Sequence, residues 1–201
     1  MKLYYSPLAC SLADHIALRE AGFVFDLERV DLKTHRTETG RDFHEVSPKG
    51  YVPVLMLDDD QIVTENVAVL DWITTAAPEL SADGPLGRTR TLEALTYITT
   101  EIHHAFKPMW HGGSADEKEK AAAKVTALFA LPAADMRGDY LFGHRPSVAD
   151  FYLFVMLLWA ERFGVETPSP LQAMRGRMRE RPAVRAAMVY EGLLSERGAA
   201  R

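Results

Sequence analysis

Cysteine occurs once in this chain, at Cys10, so no intramolecular disulfide can form and the fold must rest on its core. Long hydrophobic runs are also missing. The longest, residues 151–160, falls well short of the roughly 20 residues that span a bilayer and reads as a buried helix. No basic excess exists: 23 Lys and Arg face 28 Asp and Glu, for a formal charge of -5. That balance lacks the positive field of nucleic-acid-binding proteins, so neither nucleic acid nor membrane is an expected partner. The local exception is the arginine run Arg175, Arg177, Arg179, Arg181 and Arg185. Met174, Met178 and Val184 interleave with it at helical spacing, so it reads as a solvated helix face. Glycine-rich phosphate loops are absent too, the glycines falling at turns and helix ends. The chain starts Met-Lys-Leu-Tyr-Tyr with no charged-then-apolar leader, which with the single thiol points to a reducing cytoplasm. Among the seven histidines, His103, His104 and His111 show no compact ligand spacing, so no metal is expected.

Hydrophobic residues make up 47% of the 201, enough for a buried core. The first part alternates element types. Residues 2–5 read as a strand and 11–21 as a helix, with Leu12, Ile16 and Leu18 apolar and Gly22 as its stop. Residues 25–30 and 52–57 read as further strands. The acidic turn Asp58-Asp59-Asp60 leads into a short strand at 62–64 and a helix at 65–75. The result is a mixed four-stranded sheet with helices on its faces. Residues 79–87 are rich in turn formers and read as a linker, dividing a domain at 1–78 from one at 88–201. The second is all helix, with segments at 88–106, 116–137 (interrupted or started by Pro132), 148–163, 171–181 and 183–194. Ser147-Val-Ala-Asp150 precedes the most apolar of these. Ser147 can cap the third helical amide, and Asp150 can reach back to the Ser147 amide.

Three local features carry chemistry. Tyr4-Tyr5-Ser6-Pro7-Leu8-Ala9-Cys10-Ser11 puts Cys10 and Ser11 at or just before a helix N-terminus, where free amides and the helix dipole favour a thiolate. A small buried hydrophobe at Cys10 also fits. In Ser47-Pro48-Lys49-Gly50-Tyr51-Val52-Pro53-Val54-Leu55, a cis bond before Pro53 would offer the Val52 amide and carbonyl to an extended peptide. Thr64-Glu65-Asn66 opens a helix with a carboxylate and free amides together, able to hold an amino group and a carboxylate of one ligand; ordinary capping by Thr64 also fits.

Taken together, these motifs resemble the cytosolic glutathione transferases end to end, and most nearly the bacterial beta class. The likeness lies in Met-Lys-Leu-Tyr-Tyr-Ser-Pro with Cys10-Ser11, in Ser47 through Leu55, in Thr64-Glu65 and in Ser147-Val-Ala-Asp150. The resemblance implies a thioredoxin-like glutathione-binding domain followed by an all-helical domain, and a homodimer. It makes Cys10 the cysteine beside the glutathione sulfur, able to form a mixed disulfide. Val52, before a cis Pro53, would pair with the cysteinyl part of glutathione, and Glu65 and Asn66 would hold the γ-glutamyl end. His103 resembles the family histidine that reaches the active site; His104 points about 100° away on a regular helix. Lys107 lies one turn after His103, on the same side. His35 departs from the pattern, standing where related sequences often carry a lysine near the glycine end of glutathione. A neutral imidazole there would donate a hydrogen bond with less charge assistance.

The function implied is conjugation of the glutathione thiolate to small hydrophobic electrophiles. The electrophile would rest on His103, Phe106, Met109 and Trp110, a stripe that simple core packing also explains. A glutathione-dependent thiol–disulfide exchange through Cys10, and non-catalytic binding of hydrophobic ligands, are the competing readings.

Overall fold

The computed structural model describes residues 1–195; the stretch 196–201, assigned above to the helical domain, lies outside them. The chain divides into two compact units, Met1–Pro78 together with the segment from Glu180 onward, and Glu79–Arg179. The last helix therefore packs with the first unit, although it follows the helical segment in sequence.

The first unit is a mixed sheet ordered β3-β2-β1-β4-β5. β1 (Lys2–Tyr5) lies at its centre, parallel to β2 (Asp26–Asp31) and antiparallel to β4 (Val54–Met56). β5 (Ile62–Thr64) completes one edge. The other edge is a fifth strand, β3 (Arg36–Thr37), where four were expected. Two residues are too short to display an alternation, so the sequence carried no signal for it. Leu3, Tyr4 and Tyr5 are all buried, as a central strand covered on both faces requires. α1 (Ser11–Glu20) buries eight consecutive residues from Ser11 to Leu18 and is followed past its cap by Gly22, whose φ of 74° suits a residue without a side chain. α2 (Asn66–Ala76) and α8 (Pro182–Tyr190) pack beside α1.

The second unit is helical: α3 (Gly87–Tyr97), α4 (Lys107–Trp110), α5 (Ala115–Asp135), α6 (Val148–Phe163) and most of α7 (Ser169–Glu180). In α6 every residue from 148 to 160 is buried, so the unit's core is built round it. Asp150 accepts from the Ser147 amide at 2.8 Å, the Ser147 hydroxyl at 2.7 Å and the Leu141 amide at 2.8 Å, which ties the helix start to the preceding loop. Two details correct the sequence reading. Pro132 sits inside α5 without breaking it. The carbonyl that its missing N–H would have bonded, that of Leu128, instead accepts from the Tyr97 hydroxyl at 3.0 Å. And the segment 88–106 is no single α-helix: α3 passes into a π-helical stretch, Ile98–His103. There Thr99 and Thr100 turn their hydroxyls back on the Leu95 and Thr96 carbonyls.

The arginine run is likewise more than a solvated face. Arg175 and Arg179 both meet Glu161 on α6, Arg177 donates to the Asp139 carbonyl at 2.6 Å, and Arg181 grips Glu20 through two bonds at 2.6 and 2.8 Å. Among the described residues no helix is long and apolar enough to cross a membrane, and no group of three or more His, Cys, Asp or Glu is arranged to hold a metal.

Candidate active site

Within the first unit, the loop from β1 to α1, the turn before β4 and the start of α2 converge. Cys10 occupies the N-cap position of α1, and its thiol donates to the Val52 carbonyl at 3.8 Å. The Val52–Pro53 bond is cis. Among the described residues the Val52 amide has no hydrogen-bond partner. Asn66, the first residue of α2, sends its side-chain amide both to the Cys10 carbonyl at 2.9 Å and to Asp14 Oδ2 at 3.0 Å. Cys10, Val52, Pro53 and Asn66 thus form one cluster, with the free N–H groups at the start of α2 beside it. Glu65, just before α2, has a φ of 73°, a conformation that residues with side chains rarely adopt and that marks functional turns. Its carboxylate pairs with Lys49, which also donates to the Thr64 hydroxyl at 3.0 Å.

Two expectations are corrected here. Burial, and then the charge of Asp14, push the Cys10 thiol up to about 12, against the pull of the Cys10 and Ser11 amides and of Asn66. A helix N-terminus favours a thiolate, but in this half-buried position the loss of solvation around the sulfur outweighs it. In this state Cys10 is a thiol, not a thiolate. Ser11, in turn, is fully buried. It accepts from the Ser6 amide at 3.2 Å and donates to the Ser6 carbonyl at 3.4 Å, so its hydroxyl pins the loop while only its amide remains for a ligand.

His35 has a φ of 52° and lies against Gly50 and His44. The Gly50 carbonyl can only accept, so His35 Nδ1 donates to it at 2.9 Å. Gly50 must be glycine: its φ is 70°, and a Cβ would stand 2.7 Å from His44 Nε2.

His103 and Lys107 belong to the second unit. His103 is held by Tyr152, with Nδ1 2.6 Å from the hydroxyl, and packs edge-on to Trp159 with ring centroids 4.8 Å apart. Burial, and then the neighbouring His104 and His111, lower its pKa to about 4, so the ring is neutral. Lys107 does not share its side. It lines an exposed concavity with His104, His111, Lys120 and Lys124. The π-helical stretch and the break before α4 dephase the two residues, so regular helical spacing misplaced Lys107. Of the expected electrophile stripe, Phe106 is fully buried against Trp159 and Phe163 and serves as core, whereas Trp110 keeps 36% of its surface.

Sequence reasoning missed Asp14, Lys49 and the pair His15–Glu191. Asp14 is fully buried, and burial raises its pKa well above the usual carboxylate range. From sequence it is an ordinary acidic residue in a first helical turn.

The family model described as the glutathione S-transferase N-terminal domain matches residues 9–76, and that described as the C-terminal domain matches residues 95–185. The chain belongs to the glutathione S-transferase family and is an enzyme of it, with bacterial beta-class members among its structural relatives. The glutathione S-transferase GstA of Escherichia coli O157:H7 is 38% identical over 200 residues, covering 96% of this chain and all of that one. A beta-class transferase of Sphingomonas chungbukensis superposes with a TM-score of 0.89 at 43% identity, over 96% of this chain and 100% of its own. So does a sphingomonad enzyme solved with glutathione, with the same TM-score, identity and coverage.

Proposed function

We propose that this enzyme conjugates glutathione to small hydrophobic electrophiles, with Cys10 beside the reacting sulfur. The observation that carries the reading is the convergence of Cys10, the Val52 backbone and Asn66. An extended glutathione would pair its cysteinyl backbone with Val52. Its γ-glutamyl carboxylate would meet the first amides of α2, and its ammonium the Glu65 carboxylate. Its glycine end would approach His35. A Cys10 kept as thiol suits this chemistry, because an S–H can donate to the glutathione sulfur and stabilise it as thiolate. That thiolate attacks the electrophilic carbon, a carbon–sulfur bond forms, and the leaving group departs with the bonding pair. The glutathione proton is released to solvent. His103 is proposed to contribute as well. Trp110, partly exposed, would offer apolar surface to the electrophile.

Steady-state assays with several chlorinated nitroaromatic electrophiles test this. A glutathione-dependent rate above background is expected, and none with any electrophile would sink the reading.

A second reading is thiol–disulfide exchange, favoured by the one thiol's closeness to the Val52 backbone, on which the cysteinyl part of glutathione would lie. Cys10 as thiolate would attack one sulfur of oxidised glutathione, forming a protein–glutathione disulfide and expelling the other glutathione as thiolate. Intact mass after incubation with oxidised glutathione reads it directly. Cys10→Ser must abolish exchange, while conjugation survives on the backbone amides. We further propose a cytoplasmic homodimer; sedimentation at the 22.5 kDa monomer mass at micromolar concentration would contradict the dimer.

A further inference from the structure

Behind the Cys10 loop lies a buried chain of hydrogen bonds that the reaction does not use. Glu191, the residue after α8, has a fully enclosed side chain. Its Oε2 accepts from the Leu8 amide at 3.1 Å, and its Oε1 faces His15 Nδ1 at 3.0 Å. His15, also fully buried, accepts through Nε2 from Arg19 Nε at 2.8 Å. An arginine Nε always carries hydrogen, so His15 Nε2 must be the bare nitrogen and Nδ1 the protonated one. The tautomer is thereby set, and the ring donates to Glu191. Burial first and the Arg19 charge second keep that ring neutral, lowering its pKa to about 3. The donors then run Arg19 to His15 to Glu191, and from the opposite side Leu8 to Glu191.

The receiving end is the unusual part. Leu8 has a φ of 61°, a left-handed backbone that leucine avoids, two residues before Cys10. We propose that Glu191 is a positioning residue for Cys10: oriented by His15 and Arg19, its carboxyl group holds the Leu8 amide and so sets the turn that presents the Cys10 thiol and the Ser11 amide. The role rests on the reading of this loop as catalytic. It is separable from a general fastening of α8 to α1, since the Arg181–Glu20 pair already ties those two helices without touching Leu8.

Because Cys10 is the single cysteine, alkylation of the whole protein reports this one thiol. The test follows iodoacetamide labelling by intact mass across pH in wild type, Glu191→Ala, Glu191→Gln and, as the control for helix fastening, Glu20→Gln. Loss of the clamp should free the thiol from the packing that protects it. Glu191→Ala is expected to label about tenfold faster at fixed pH, a change of about one unit in the apparent thiol pKa, and to lower kcat/KM for glutathione by a similar factor. Glu191→Gln, which keeps an acceptor for Leu8, should fall between it and wild type, and Glu20→Gln should stay within about twofold of wild type. Labelling of a folded Glu191→Ala protein within about twofold of wild type at every pH overturns the proposal, as does an equal effect of Glu20→Gln. Amide hydrogen exchange on the wild type gives a reading that no folding defect can obscure. The Leu8 amide should exchange as slowly as the core amides of α1, and fast exchange overturns the clamp. Should wild type form no mixed disulfide and show no glutathione-dependent rate, the reading of Cys10 fails while labelling and hydrogen exchange still decide the clamp.

Discussion

Asn66 donates its side-chain amide to Asp14 at 3.0 Å inside the protein, and the same nitrogen holds the Cys10 carbonyl at 2.9 Å. A buried carboxyl on α1 therefore fixes the residue that opens α2, and through it the residue that opens α1. Asp14 Oδ1 and Asn66 Oδ1 are buried with no partner among the described residues, so this joint leaves polar capacity unused.

Asp14 also opposes ionisation of Cys10, second only to burial. In the unliganded enzyme the alkylation rate of Cys10 should still climb above pH 9 without levelling. Asp14→Asn keeps an acceptor for Asn66 and removes the charge. It should label Cys10 about three- to tenfold faster at pH 9 to 10. A pH–rate curve for iodoacetamide checks this, and coincident curves would show that the charge is not felt.

Asp150→Ala should cost about 3 kcal/mol or more of unfolding free energy, since it strands two backbone amides and a hydroxyl at a buried helix start. Urea unfolding measures it. Asp150→Asn, which still offers one acceptor oxygen, should cost less.

His103 ties pH to stability with a defined sign. Unfolded, it takes a proton near pH 6.5; folded, only near pH 4. The folded state therefore loses stability relative to the unfolded as pH falls through that window. Compared with His103→Gln, wild type should lose about 2 kcal/mol on going from pH 7 to pH 4.5. The comparison with a variant matters, because Glu191, raised to about 8 by burial, works in the opposite direction over part of the same range. Parallel urea titrations of the two proteins decide it; an unchanged difference would mean that His103 is protonated in the fold.

His35→Lys should lower the KM for glutathione about three- to tenfold and leave kcat unchanged, because His35 spends its Nδ1 hydrogen on Gly50 and a lysine would bring a free charged donor. A change in kcat alone would place His35 outside the binding of glutathione.

Elements that depend on local pattern were legible from sequence. α6 begins and ends where its apolar run and the Ser147–Asp150 box put it, because both signals lie within neighbouring turns. The cis bond at Val52–Pro53 and the capping position of Cys10 follow from motif residues adjacent in the chain. What escaped is of two kinds. β3 and the π-helical stretch at Ile98–His103 are too short or too irregular to imprint a period, and the second carried the error at Lys107 with it. The other kind is long-range chemistry. Asp14 meets Asn66 across 52 residues of sequence and His15 meets Glu191 across 176, and no local pattern marks a carboxylate that will be buried only once distant segments arrive. The high Cys10 pKa belongs here too, since it arises from how much water the finished fold removes.

The first unit borrows its last helix from beyond the intervening stretch 79–179. As the chain leaves a ribosome, its sheet and α1 emerge early, with Glu20, His15 and the Leu8 amide all waiting for residues not yet made. Their partners, Arg181 and Glu191, arrive only after every residue of the second unit has been synthesised. The Leu8 end of the turn that bears Cys10 is thus the last part of it to be secured. A nascent or prematurely ended chain would hold its single thiol by Asn66 and Ser6 alone, without the carboxyl that fastens Leu8.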